Sequence, residues 1–204
     1  MTTEQSRLEI WLQTLRSANA KVVDDIAEGL TPEEIENDLS ATGIEIIPDA
    51  IDLWQTLGGT KQPAGTKSGY VDKLRLDGLY IFQSPAEANA QILAIKSDIA
   101  QGYEAYENFP QTCLPIAVSI GPDILALDCG SNPKVRGGVY NYDPSSAELH
   151  KISTSLNSYF KTLQNLFEAE ILRLDKEGEL EVTNYNTYFK TGSKINPGCA
   201  YWTS

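Results

Sequence analysis

The chain has 204 residues, 41% of them apolar and 22% charged, with a formal charge of −12. That length and balance suit one soluble globular domain with its own core, and no apolar run approaches the ~20 residues a membrane helix needs. The first seventeen residues, MTTEQSRLEIWLQTLRS, have no basic stretch followed by an apolar one, so no secretory signal is expected and cytoplasmic residence is the expectation.

Residues 4–19 space Leu8, Trp11, Leu12 and Leu15 as one face of an amphipathic helix, and Val22, Val23, Ile26 and Leu30 continue the apolar pattern, with an end at Gly29. Thr31 as cap, Pro32 at the first helical position and acids in the first turn predict a second helix, stopped at Gly43. In 47–59, Pro48 opens a third, with Ile51, Trp54 and Leu57 inward and Gly58-Gly59 as the close. A polar loop follows over 60–69, then a β-rich run at 76–83. Ser84 and Pro85 start the next helix, whose buried stripe is Ile92, Ile95 and Ile99. From Leu114 the period shortens. LPIAVSIG, DILALDCG, GGVYNYD and ELHKIS read as four short strands, with connections short enough for antiparallel pairing. Residues 153–174 predict the longest helix, capped at Ser153 or Ser155, and Leu180–Thr183 one more strand before a Tyr-rich tail. The layout is that of an α+β fold: an antiparallel β-sheet flanked by helices.

Charge is unevenly distributed along this plan. Between Lys21 and Lys61 there is no Lys or Arg, while ten carboxylates fall there: Asp24, Asp25, Glu28, Glu33, Glu34, Glu36, Asp38, Glu45, Asp49 and Asp52. Such a surface repels nucleic acid and anionic lipid, whose recognition rests on Lys and Arg, and it steers a basic partner inward. A solvated face that keeps the protein soluble is the plainer account. Cys113, Cys129 and Cys199 are widely spaced, no CxxC occurs and His150 is the only histidine, so the zinc pattern is missing. Buried free thiols are expected, and no metal or cofactor.

The stretch ILALDCGSNPKVRGGVYNYDP (124–144) brings Asp128, Cys129, Asn132, Arg136 and two glycines close together. A phosphate-binding loop would need its glycines to enter a helix, whereas Gly137-Gly138 runs into strand-like alternation. A hairpin is the better reading, with Gly130 and Asn132 able to take left-handed backbone and Pro133 fixing the turn. His150 lacks a nucleophile motif nearby. DKEGE (175–179) lacks the ligand alternation of a calcium loop and reads as a turn at Gly178.

Taken in order, four segments resemble a known pattern. IPDAIDLWQTLGGT looks like a Pro-opened helix carrying an aromatic, and GLYIFQSPAEANAQI like a strand with its Ser-Pro-Ala-Glu helix. LPIAVSIGPDILALDCGSNPKVRGGVYNYDP is similar to a central strand pair followed by a Gly-Val-Tyr strand, and SLNSYFKTLQ to a serine-led closing helix. Together they resemble the SUKH superfamily of cell-wall-assembly regulators and bacterial immunity proteins. The likeness covers about residues 40–170 of a single domain spanning 1–204, with N-terminal helices at 1–39 and a C-terminal extension at 171–204.

The resemblance implies a protein-binding domain without shared catalytic residues. It places Asp128 and Arg136 beside the turn of the central hairpin, with Tyr140 and Tyr142 on one face of the next strand. Those four are the candidate partner-binding residues, with Trp54 and Tyr80 as groove members or plain core. Asp24, Asp25, Glu28, Glu33, Glu34, Glu36 and Asp38 are the candidate acidic surface. The expected partner is a basic protein such as a toxin or nuclease, with no nucleic acid and no membrane. A housekeeping scaffold with several weak partners, or an enzyme of unrecognised substrate built around His150, are the rival readings.

Overall fold

The structure, a computed structural model, describes residues 5–61 and 74–203. Most of the polar loop expected over 60–69, and Tyr70, lie outside the described residues. Three helices open the chain: α1 (Arg7–Ser17), α2 (Pro32–Leu39) and α3 (Pro48–Thr56). Strand β1 (Tyr80–Phe82) leads into α4 (Pro85–Ala100), and β2 (Cys113–Ser119), β3 (Ile124–Asp128), β4 (Val139–Asp143) and β5 (Glu148–Ser153) follow. Helix α5 (Leu156–Glu168), the hairpin β6 (Leu172–Leu174) and β7 (Leu180–Val182), and α6 (Tyr185–Ile195) complete the described elements with a last 3-10 turn, Ala200–Thr203. The α+β class expected from the sequence is the observed one.

Local chemistry explains where the helices begin. Ser6, Thr31 and Ser84 each accept the backbone N–H of a glutamate three residues on, and that glutamate accepts the cap's own N–H. These capping boxes satisfy two otherwise orphaned donors apiece. Ser155 accepts the N–H of Ser158 at the start of α5.

Strands β1 to β5 form one antiparallel meander in chain order. Pro115 sits in an interior strand because the register slips between Pro115 and Ala117, where a missing ladder donor is tolerated. Alternation gives the sheet two apolar faces. Phe82 packs on Phe160 of α5, their ring centroids 6.0 Å apart. On the opposite face Tyr142 receives Phe109 edge-on at 5.1 Å. Helix α1 lies on α5, and Trp11 meets Phe167 edge-on at 5.7 Å while its indole N–H reaches the Leu76 carbonyl at 3.1 Å. One hydrophobic cluster runs from Leu8 to Trp202, so the first helix and the last turn share the sheet's core.

Both edge strands have neighbours. The Thr60 N–H reaches the Phe82 carbonyl at 2.8 Å and the Leu76 N–H the Tyr80 carbonyl at 3.1 Å, both on β1. On β5 the Trp202 indole donates to the Ile152 carbonyl at 2.7 Å.

Several expectations need correction. Residues 21–30 do not extend a helical face. Asn19 turns left-handed (φ 61°), a 3-10 turn covers Lys21–Asp25, and Ile26 then bridges to Thr60 in extended backbone. The third helix ends at Thr56, before Gly58-Gly59. The longest helix among the described residues is α4, not the segment 153–174: α5 stops at Glu168, Glu170 turns left-handed, and Leu174 belongs to β6. Ile99, expected in the buried stripe of α4, is 36% exposed. In the 129–138 loop the left-handed residue is Gly137, whose N–H returns to the Asp128 carbonyl at 2.7 Å, rather than Gly130 or Asn132. The Tyr-rich tail is a folded part of the molecule, since Tyr188 and Trp202 pack ring to ring at 5.2 Å.

Candidate functional site

The residues singled out around the central hairpin are mostly structural. Asp128 is buried and accepts the Thr112 hydroxyl at 3.1 Å and the Gly130 N–H at 2.8 Å, which holds the start of the loop. Arg136 spans the loop. Its guanidinium donates to the carbonyls of Cys129 (3.2 Å) and Gly130 (3.1 Å) and pairs with Glu45 at 2.7 Å. Tyr140 and Tyr142 pair with Ala126 and Ile124, so they do share a face, but it is an inner one. Tyr142 is fully buried, its hydroxyl on the Ala105 carbonyl at 2.8 Å, and Tyr140 is 9% exposed with the Lys151 ammonium 5.8 Å from its ring centre.

Trp54 and Tyr80 are core. The Trp54 indole donates to the Gln83 carbonyl at 2.9 Å, and the Tyr80 hydroxyl to Asn141 at 2.6 Å. The six residues therefore form no common open groove. The reason is physical: two layers cover the sheet, so alternation that exposes one side of a single-layer sheet buries both here.

The acidic stretch behaves differently. Asp24, Glu28, Glu33, Glu34 and Glu36 are exposed, and Asp25 and Asp38 half-buried. Helix α2 turns Ile35 and Leu39 inward, which leaves its carboxylates outside. Glu34 serves the capping box, and the Thr31 N–H and hydroxyl hold its carboxyl below the usual range. Glu45 pairs with Arg136. Among the described residues, no hydrogen bond or ion pair reaches the carboxylates of Asp24, Glu28, Glu33, Glu36, Asp38, Asp49 and Asp52. Burial, then the neighbouring Asp52, pushes the Asp49 carboxyl up.

Sequence reasoning missed a buried polar knot. Asp77 accepts the N–H groups of Leu79 (2.8 Å) and Tyr80 (2.6 Å) and a short hydrogen bond from the Tyr159 hydroxyl. Burial raises the Asp77 carboxyl, and those hydrogen bonds oppose the rise. The Asp77-Gly78 pair signals a turn; nothing local signals Tyr159. Asn196 closes a second knot, donating to the Thr162 hydroxyl at 2.9 Å and accepting from Ser158 at 3.3 Å.

No protein-family model and no curated protein matches this chain. The chemistry must therefore be read from the side chains. All three thiols are free and buried, and burial pushes Cys129 up to about 12 and Cys113 higher still, away from thiolate reactivity. His150 contacts Glu148 at 3.0 Å on β5, and both side chains are partly exposed. Among the described residues no group of three or more His, Cys, Asp or Glu is placed to hold a metal ion, and no helix is long and apolar enough to cross a membrane.

Proposed function

We propose that this protein is a non-catalytic binding domain that recognises a basic protein through its acidic N-terminal surface. The observation that carries the reading is the run of exposed, unpaired carboxylates Asp24, Glu28, Glu33 and Glu36. No Lys or Arg lies among them in the chain to neutralise them from within. Unpaired surface charge of one sign speeds association with an oppositely charged partner and disfavours phosphate-bearing ones. Inert thiols and a surface His150 support binding over catalysis. The order of segments resembling the SUKH superfamily supports the same reading and adds a direction, a toxin or nuclease whose phosphate-binding surface is basic.

Capture of the protein from its own cells at low and then high salt tests this. One basic polypeptide in stoichiometric amount, with association slowed at high salt, is the expected result. Replacing Asp24, Glu28, Glu33 and Glu36 with their amides is expected to weaken the complex mainly through slower association. Unchanged affinity would remove the charge argument, and a diffuse set of weak partners would replace it with a scaffold role.

A further inference from the structure

The sheet reaches further than β1. Residues 58–61 run beside it, with the Thr60 N–H on the Phe82 carbonyl at 2.8 Å. On their other side Ile26 bridges Thr60. The Ala27 N–H reaches the Gly59 carbonyl at 2.9 Å, and the Lys61 N–H reaches the Asp25 carbonyl at 2.6 Å. In an antiparallel pair of this kind the bonds flank the bridged residue, whose own N–H and carbonyl face away. Ile26 therefore turns its backbone groups outward. Ala27 also accepts the Gly58 N–H at 3.2 Å, so alternation turns Glu28 outward as well. Among the described residues, no hydrogen bond reaches the N–H or carbonyl of Ile26 or Glu28. The outermost edge of the sheet is thus 26–28, and it is open. It ends where the Leu30 N–H turns to the Trp54 carbonyl at 2.9 Å.

Open strand edges invite another strand, and proteins commonly guard them with charge. Here the guards share one sign. Asp24 and Glu28 bracket the edge, both exposed and both without a hydrogen bond or ion pair at the carboxylate. A second copy of this chain would set acid against acid, which destabilises a strand pair. A strand with Lys or Arg at alternate positions meets opposite charge at both ends and supplies the missing backbone partners. We infer that residues 26–28 accept an extended, lysine- or arginine-bearing segment of the basic partner as an added strand. The inference rests on the proposed binding role and deepens it, naming the docking mode and the partner's local conformation.

The acetylated and amidated peptide KVKVKVK, titrated into the ¹⁵N-labelled full chain, tests the edge. Its fully N-methylated counterpart keeps the charge and loses every strand donor. Saturable shifts centred on the amides of 24–29 are expected with the first peptide and absent with the second. Bound peptide should also slow hydrogen exchange at the Ile26 and Glu28 amides at least about tenfold. Two variants separate charge from backbone. Glu28→Gln removes the carboxylate alone, whereas Glu28→Pro also removes the outward N–H, which no native bond uses. The proline variant should bind the peptide at least about tenfold more weakly than the glutamine one. Loss of the native amide spectrum in Glu28→Pro would leave the two peptides as the deciding comparison. Equal binding of both peptides, shifts spread over α2, or no shifts would overturn the added strand. In the cell-capture experiment, a basic partner that holds Glu28→Pro as tightly as Glu28→Gln overturns the added strand and leaves the acidic-surface reading standing. Edge-specific peptide binding with no basic partner captured supports the edge and sinks the wider reading.

Discussion

Asp77 shows how one side chain sets the chain's path and the molecule's response to pH. The segment 76–83 reads as a strand, yet β1 begins only at Tyr80 because the Asp77 carboxylate takes the N–H groups of Leu79 and Tyr80 and holds the preceding residues in a turn. That much is local, and the Asp-Gly pair announces it. Tyr159, which binds the same carboxylate, is 82 positions away and no short-range pattern reports it. Replacing Asp77 with alanine strands the Tyr159 hydroxyl and two backbone donors, so a loss of about 3 kcal/mol in urea unfolding is expected. Asp77→Asn keeps the shape and removes the charge. Burial raises the folded-state pKa, so the folded chain keeps this proton where the unfolded chain has released it. The resulting stability is complete below the ordinary carboxylate pKa and is lost as pH rises through the raised one. Wild type should therefore lose more stability than Asp77→Asn between pH 4 and 7, a range that starts near the unfolded value of about 3.9. Asp49 and Asp123 slope the same way in both proteins, and parallel curves would contradict the assignment.

Elements differ in how far ahead they can be read. Helix starts are short-range events, and Ser-Pro-Ala-Glu at 84–87 states its capping box within four residues. Ser84→Ala is expected to cost about 1 kcal/mol, measured by thermal or urea unfolding. Helix ends are less legible: the spacing of Leu166, Phe167 and Leu174 predicts one inner face running on to Leu174, whereas α5 stops at Glu168. Leu172 and Leu174 lie on β6 instead, Leu172 in the common core and Leu174 packed against it, and a turn at Gly178 reverses the chain into β7. Helix α6 was hidden for a related reason, since Gly192, a poor helix former, falls in its last turn. Contact explains its presence. A β-carbon built there would lie 2.0 Å from Cε3 of Trp202, so the indole occupies the space a side chain would fill. Gly192→Ala should thus destabilise by about 1–3 kcal/mol despite alanine's better helix propensity, and a higher melting temperature would mean that Trp202 moves aside freely.

Over the whole molecule, charge was legible and the burial of particular aromatics was not. A run of acids without Lys or Arg can be counted from the chain, and the exposed face of α2 follows from Ile35 and Leu39 pointing inward. The inward side of Trp54 follows from the helical spacing of 47–59, whereas whether Tyr140 or Tyr142 reaches the surface depends on how many layers cover the sheet, which only the assembled fold decides. A net charge of −12 opposes compaction through self-repulsion. Raising salt from near zero to about 0.15 M should raise the melting temperature, and should do so less after the Asp24, Glu28, Glu33 and Glu36 amides are introduced. A salt-independent melt in wild type would mean that the acids are too dispersed to act together. The indole of Trp202 on the Ile152 carbonyl has one more outcome for a molecule so charged. A chain cut before Ala200 would present β5 as an open template, and its copies would be free to add strand to strand. Such a truncation should yield dimers paired β5 to β5, seen as a doubled mass by size-exclusion chromatography with light scattering, and no longer polymer, because Thr60 and Leu76 still cover β1 at the other edge.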